Sequence, residues 1–105
     1  MTNKEKNFVS AVVYVHNAED RIQVFLKAVI DVLGSNFEHS EIICVNDHSV
    51  DNSLKKIKEL SDDAGSVSIS VVNMSYYHGL EMAMNAGIDI SIGDFVFEFD
   101  NTVLD

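Results

Sequence analysis

The chain has 105 residues, 47% hydrophobic and 23% charged, with a formal charge of -10 at pH 7. That length holds one domain and the apolar share is enough to bury a core, which excludes a disordered segment. The acidic balance argues against nucleic acid or an anionic membrane surface as the main partner.

The polar opening MTNKEKN carries no apolar secretory region, and residues 1–7 are expected to be flexible. Phe8 to Val15 is rich in β-branched residues and reads as a first strand that stops at His16-Asn17. Ile22, Phe25, Leu26, Val29, Ile30 and Leu33 then recur at the steps of a one-sided helix, with Gly34 as its stop signal. Glu41 to Val45 is a second strand, and Ser49 or Asp51 can cap the helix that follows, whose best apolar pair is Leu54 and Ile57. This strand contains Cys44, the single cysteine, so no intramolecular disulfide is available and a reducing compartment is implied.

Val67 to Val72 reads as a third strand, and Leu80, Ala83, Met84, Gly87 and Ile88 mark a third helix. Ala83 and Gly87 are small enough for close packing on a sheet. After the turn at Gly93-Asp94, Phe95 to Phe99 forms a fourth strand ending at Asp100. Near-continuously apolar strands alternating with helices predict a mainly parallel sheet covered on both faces, an α/β three-layer αβα sandwich over residues 1–105. No apolar run is long enough to span a membrane, so no membrane contact is expected from this segment.

Ligands of open parallel sheets bind outside the carboxyl ends of the strands. Those ends are His16-Asn17, Asn46-Asp47-His48, Met74-Ser75 and Asp100-Asn101-Thr102. For each cluster the alternative is a solvated loop or a helix cap, where Asp and Asn are favoured on local grounds. No GxGxxG follows the first strand, no P-loop is present, and no Cys or His pair has zinc spacing. The edge holds almost no Lys or Arg, Arg21 being the nearest cation. A phosphate ligand would therefore need a divalent cation to screen Asp47 and Asp100, and carboxylates and water suit Mg²⁺ or Mn²⁺.

The series VSAVVYVHNAEDRI, EIICVNDHSVDNSL and YHGLEMAMNAGIDISIGDFVFEFDN resembles the N-terminal half of family 2 glycosyltransferases of the GT-A (Rossmann-like) fold. His16-Asn17 matches the Tyr-Asn pair that ends the family's first strand, and Asn46-Asp47-His48-Ser49 matches its Asp-Asp-Gly-Ser. Gly79, Gly87 and Gly93-Asp94 match the segment that opens and closes the third helix. The fourth strand delivers Asp100 where the family has the first acid of its Asp-x-Asp metal motif. The helix segment looks most like the branch that transfers sugars to polyprenyl phosphates.

The resemblance implies a nucleotide-diphosphate-sugar donor site. Asp47 would hydrogen-bond the base, Val15, His16 and Asn17 would form part of its pocket, and Asn46 and Gly79 would border it. Asp100 would hold Mg²⁺ or Mn²⁺ as a Lewis acid on the leaving diphosphate. Two departures stand out: Asn46 replaces an acid, and Thr102 replaces the second acid of the metal motif, with Glu98 or Asp105 as possible compensating ligands. The family's acceptor half lies beyond Asp105, so the 105 residues are expected to be weakly active or inactive alone. The expected function is donor binding in a longer glycosyltransferase of lipid-linked or cell-surface glycan synthesis, at a cytoplasmic location or the cytoplasmic face of a membrane. The alternative is a degenerate, non-catalytic binding or scaffold domain of the same fold. A receiver-like signalling domain is disfavoured, because the first strand ends in His16-Asn17 rather than an acidic pair.

Overall fold

The computed structural model of the chain describes residues 5–62, 64–65, 67–91, 93 and 95–100. In chain order the elements are β1 (Glu5–Val15), α1 (Ile22–Asn36), β2 (Phe37–Asp47), α2 (Ser53–Ser61), β3 (Val67–Met74), α3 (Leu80–Ile90) and β4 (Phe95–Asp100). The four strands form one parallel sheet in the order β3-β2-β1-β4. This is the α/β, three-layer architecture that the alternation of strands and helices predicts.

Strand alternation divides the core in two. Val9, Ala11, Val13 and Val15 of β1, with Ile42 and Cys44 of β2, pack against Ile22, Leu26, Val29 and Leu33 of α1 and Ile57 and Leu60 of α2. The intervening residues Val12, Tyr14, Ile43 and Val45 face α3 through Ala83 and Met84. Both faces of β1 and β2 are thus covered, which is why their sequences are apolar throughout. Cys44 is enclosed in the first layer, and burial pushes its thiol up to about 12.

Several boundaries differ from the sequence reading. β1 starts at Glu5, inside the segment 1–7 expected to be flexible, and Glu5 pairs with Phe37. The helix α1 does not stop at Gly34 but runs to Asn36, whose Nδ2 donates to the Val32 carbonyl oxygen at 2.7 Å. A glycine ends a helix only where the chain turns into the left-handed region. Here the chain extends straight from Asn36 into β2. In α2 the inward partner of Ile57 is Leu60, while Leu54 is only half-buried.

The strand order sets the location of any site. The chain steps outward from β1 to β3 and then returns to the far side of β1, so the winding reverses there. Ligands of such sheets bind outside the carboxyl ends of the strands near that reversal. On the opposite flank, β4 borders an apolar groove of about 500 Å³ lined by Phe25, Val29, Val32, Phe97 and Phe99.

The helix α3 lies close on the sheet because residue 87 has no side chain. A Cβ on Gly87 would stand 2.5 Å from Val12 Cγ1 and 2.7 Å from Val45 Cγ2. Replacing Gly87 by Ala is therefore expected to destabilise the fold by about 1–2 kcal/mol, since overpacking outweighs the gain of roughly 1 kcal/mol in helix propensity. Gly34 is the control, because its Cβ would meet nothing nearer than Val67 Cγ2 at 4.0 Å. Gly34→Ala should stabilise by about 0.5–1 kcal/mol. Urea denaturation of the two variants reads both signs.

Candidate functional site

The carboxyl ends of β1 and β2 lie side by side, with Tyr14 in register with Val45 and Val15 with Asn46. Asp47, one residue further, ends β2 with its side chain at 0% exposure. Its Oδ2 accepts from the Tyr14 hydroxyl at 2.8 Å and from the Gly79 N–H at 2.8 Å. Its Oδ1 accepts from the His78 N–H at 2.8 Å. The carboxylate thereby ties β1, β2 and the segment before α3 into one unit.

Burial alone would raise the Asp47 pKa. The bonds from His78 N–H, the Tyr14 hydroxyl and Gly79 N–H outweigh it, and the pKa is lowered below that of an ordinary aspartate. Tyr14 moves the opposite way, its pKa raised first by burial and then by the adjoining carboxylate. The pair is therefore a neutral phenol donating to a fixed anion. Gly79 takes φ 91° and ψ 165° to bring its N–H round to the carboxylate. That region is essentially reserved for glycine.

A second clasp joins the loops that follow β1 and β2. The Asn17 N–H donates to Ser49 Oγ at 3.0 Å, and Asn17 Oδ1 accepts from the Val50 N–H at 2.7 Å. Ser53 Oγ accepts from the Ala18 N–H at 2.7 Å. Asp51 accepts from the Glu19 N–H at 3.1 Å through Oδ2 and from the Ser53 N–H at 3.0 Å through Oδ1. Asp51 thus serves the start of α2 as expected of a cap, from one position before the N-cap residue Asn52. Ser49 holds the other loop instead. Desolvation raises the Asp51 pKa, but the bonds from Ser53 and Glu19 more than offset it, so the net shift is downward.

His16 and the aromatic residues of the β3–α3 loop cover the edge. The His16 ring lies 4.8 Å from that of Tyr77, and Tyr76 stacks on His78 at 4.3 Å. His16 Nδ1 is 2.7 Å from the Asp47 carbonyl oxygen. A carbonyl only accepts, so Nδ1 carries a proton in this contact.

The residues Val15, His16, Asn17, Asn46, Asp47 and Gly79 expected at the site are all brought to this edge. Their roles within it are unequal. The Asp47 carboxylate has no accessible surface and three protein donors, so in this arrangement it offers a ligand no contact. Asn46 is buried too: its Nδ2 donates to Asn73 Oδ1 at 3.0 Å, while its own Oδ1 is enclosed without a partner. Tyr14, Ser53, Tyr77 and His78 were not singled out from sequence, although Tyr14 lies on the same strand face as Val12 and a hydroxyl there needs a partner.

The expected metal ligands fall at the end of β4. Asp100 pairs with Tyr14 through the backbone, and Glu98, two residues earlier, pairs with Val12 and is exposed. The carboxylate of Asp100 lies outside what is described, as do Thr102 and Asp105. Among the described residues no three His, Cys, Asp or Glu side chains converge to hold a metal ion. Arg21, the cation nearest the edge in sequence, is engaged by Asp20 at 2.8 Å.

Residues 10–101 match the family model described as glycosyl transferase family 2. An uncharacterized glycosyltransferase of Synechocystis sp. is 34% identical over 97 residues, covering 92% of this chain and 30% of that protein. An undecaprenyl-phosphate 4-deoxy-4-formamido-L-arabinose transferase of Edwardsiella ictaluri is 32% identical, again over 92% of this chain and 30% of its own length. The chain thus spans under a third of the curated relatives it matches. Among solved structures, a mannosyltransferase from Pyrobaculum calidifontis in complex with GDP-Man and Mn²⁺ superposes with a TM-score of 0.75 at 16% identity. It aligns with 87% of this chain and 26% of its own. S. aureus TarS with UDP-GlcNAc gives 0.73 at 22% identity, covering 88% of this chain and 26% of its own. These likenesses establish the GT-A fold. Among the described residues no helix is long and apolar enough to cross a membrane.

The lowered pKa of Asp47 and Asp51 sets the acid stability of the site. Their contribution is complete above the ordinary aspartate value of 3.8 and is lost as the pH falls through the lower folded-state values. Tyr14→Phe, which removes one donor to the buried anion, is expected to cost about 1.5–3 kcal/mol at pH 7. Asp47→Asn should cost more at pH 7 and yet flatten the acid limb. Urea unfolding at pH 7 and pH 3 measures both effects, and an unchanged acid slope in Asp47→Asn would show that the carboxylate is not held as described.

Proposed function

The chain belongs to glycosyl transferase family 2, and from that premise we propose that it is the nucleotide-sugar-binding part of a longer glycosyltransferase. The reaction proposed moves a sugar from a nucleotide-diphosphate sugar to an acceptor in lipid-linked or cell-surface glycan synthesis. The observation that carries this reading is the meeting of the β1 and β2 ends with the Asp47-tethered loop, beside the reversal of the sheet between β1 and β4. Such a fixed, partly open edge is where a parallel α/β sheet binds its ligand. The two nucleotide-sugar complexes of the same fold and the undecaprenyl-phosphate transferase among the relatives support the donor class and the lipid-linked acceptor class.

In this reading Val15, His16 and Asn17 border the nucleotide, with Gly79 and Asn46 alongside. Asp47 acts from beneath by fixing the loop that carries Tyr77. Asp100 would hold a Mg²⁺ or Mn²⁺ ion, with Glu98 or Thr102 beside it. Bound there, the ion would supply positive charge against the leaving diphosphate. The described donors do not themselves form a metal cradle, so no step of the transfer is derived through the ion. The relevant surroundings are proposed to be the cytoplasm or the cytoplasmic face of a membrane.

A binding module without transfer activity is the second reading, favoured by the internal consumption of the Asp47 carboxylate. Calorimetric titration of UDP, GDP and dTDP, with and without Mn²⁺, separates the two. The donor reading predicts that at least one diphosphate binds and binds more tightly with Mn²⁺, the gain being lost in Asp100→Asn. Binding indifferent to Mn²⁺ would favour the module. No binding of any of the three to folded protein would overturn both nucleotide readings.

A further inference from the structure

Gly93 and the half-buried Glu41 lie away from the strand-end edge, yet one hydroxyl joins them. Ser10, on β1, is fully buried and shares a strand face with Val12 and Tyr14. Its hydroxyl donates to Glu41 Oε2 at 2.5 Å, across the Ser10–Glu41 pair of β1 and β2. The same oxygen accepts from the Gly93 N–H at 2.9 Å. A serine hydroxyl has one proton and two lone pairs, and an N–H can only donate. The carboxylate therefore takes the proton and leaves a lone pair for Gly93. Ser10 and Gly93 are 83 positions apart, and their bond fixes the chain just before β4 begins at Phe95.

β4 needs such a tie more than β1 or β2 does. Among the described strands it is an edge, paired with β1 alone. Burial specifies a strand's register only where one face is enclosed. Here the consecutive residues Val96, Phe97 and Glu98 are all exposed, so both faces of β4 meet solvent. A slip of two residues would keep the facing pattern and yet move the strand end by about 6.6 Å. With Gly93 held, β4 enters with Phe95 beside Val9 and leaves with Asp100 beside Tyr14.

We propose that Ser10, oriented by Glu41, is a positioning residue that sets the register of β4 and so the place where Asp100 reaches the strand-end edge. It acts from a distance, because Tyr14 lies further along β1, about 13 Å away at the rise of a strand. The inference rests on the proposed donor-site role of Asp100, while the register is measured independently of any ligand.

Ser10→Ala in the 105-residue chain tests it by NMR and amide exchange. Loss of the anchor is expected to abolish the main-chain contact between Tyr14 and Asp100. The β4 amides bonded to β1 should exchange at least about tenfold faster, while those of β3 stay within about twofold. Ile57→Val is the control, since it thins the core beneath α2 and leaves Ser10 untouched. Its β4 amides should keep their protection relative to β3. Glu41→Gln, which keeps an oxygen for the Ser10 hydroxyl, should retain the Tyr14–Asp100 contact. Diphosphate titration adds a functional readout. In Ser10→Ala the gain from Mn²⁺ should fall about tenfold, the scale of losing an outer-shell partner, with metal-free affinity within about twofold. A Tyr14–Asp100 contact that persists in Ser10→Ala, or an acceleration spread equally over β3, overturns the proposal. A lost register with the Mn²⁺ gain intact overturns the link to Asp100. If the unsubstituted chain binds no diphosphate, the nucleotide reading falls, and exchange along β4 still decides the anchor. The unsubstituted chain supplies the last check: an unprotected Gly93 amide overturns the proposal even where Ser10→Ala fails to fold.

Discussion

A carboxylate removed from water must be answered by donors, and the arrangement of this edge follows from how Asp47 is answered. Its three donors come from β1 and from the segment before α3, while the residue itself ends β2. None of these pieces is adjacent in sequence. An unpaired buried charge would be far more destabilising than the ordering of a short loop, so the loop is ordered. Gly79 accepts a glycine-only conformation to complete the shell, and α3 starts immediately after it. The close seating of α3 through Gly87 then fixes the same unit from the other end. One buried anion therefore sets the height and direction of α3 over β1 and β2.

The clasp between the β1–α1 and β2–α2 loops has a different character. It consists of short side chains bonding to main-chain N–H groups of the loop before α1 and at the start of α2. Helix starts leave such donors unsatisfied; here Asp51 serves Ser53 in its own loop, while Ser49, Ser53, Asp51 and Asn17 supply acceptors across the two loops. Neither Arg21 nor Asn52 makes a side-chain cap bond. The two helices on this face are tethered to each other as well as to the sheet. Consequently His16 and Asn17 project from a braced loop, and the left-handed Asn17, at φ 48°, is held by two hydrogen bonds.

Much of this was legible in the sequence, for identifiable reasons. Strands buried on both faces leave continuous β-branched runs, and helices on a sheet leave stripes at three- and four-residue steps. Those local periodicities carry the fold class and the strand ends. The polar cluster after Val45 was legible as a site, but the partner of each side chain was not. The partners of Tyr14, His16 and Ala18 lie 31 to 35 positions away, and nothing local selects among the available acceptors. The inward turn of Asp47 was therefore hidden, as was the role of Tyr14, whose hydroxyl is invisible in an apolar run. Gly34 misled for the opposite reason. A local stop signal was overridden by a chain path that needed no left-handed turn.

The enclosed carboxylate also constrains how an anionic ligand could be accommodated. The start of a helix ordinarily attracts an anion through its free N–H groups and its dipole. At α3 the protein's own Asp47 already occupies the approach, through His78 and Gly79. Its pKa is lowered by the same hydrogen bonds that would otherwise greet a phosphate. The hydrogen bonds come from neutral groups, so the negative charge remains, at the edge of a chain whose formal charge is -10. Arg21 is engaged by Asp20, Lys55 and Lys56 lie in the first turn of α2, and Lys58 lies in its last turn. On the proposed reading, a nucleotide diphosphate would bring two phosphates into an already anionic setting. Attraction would then come from a bound cation or from the lysines at the start of α2.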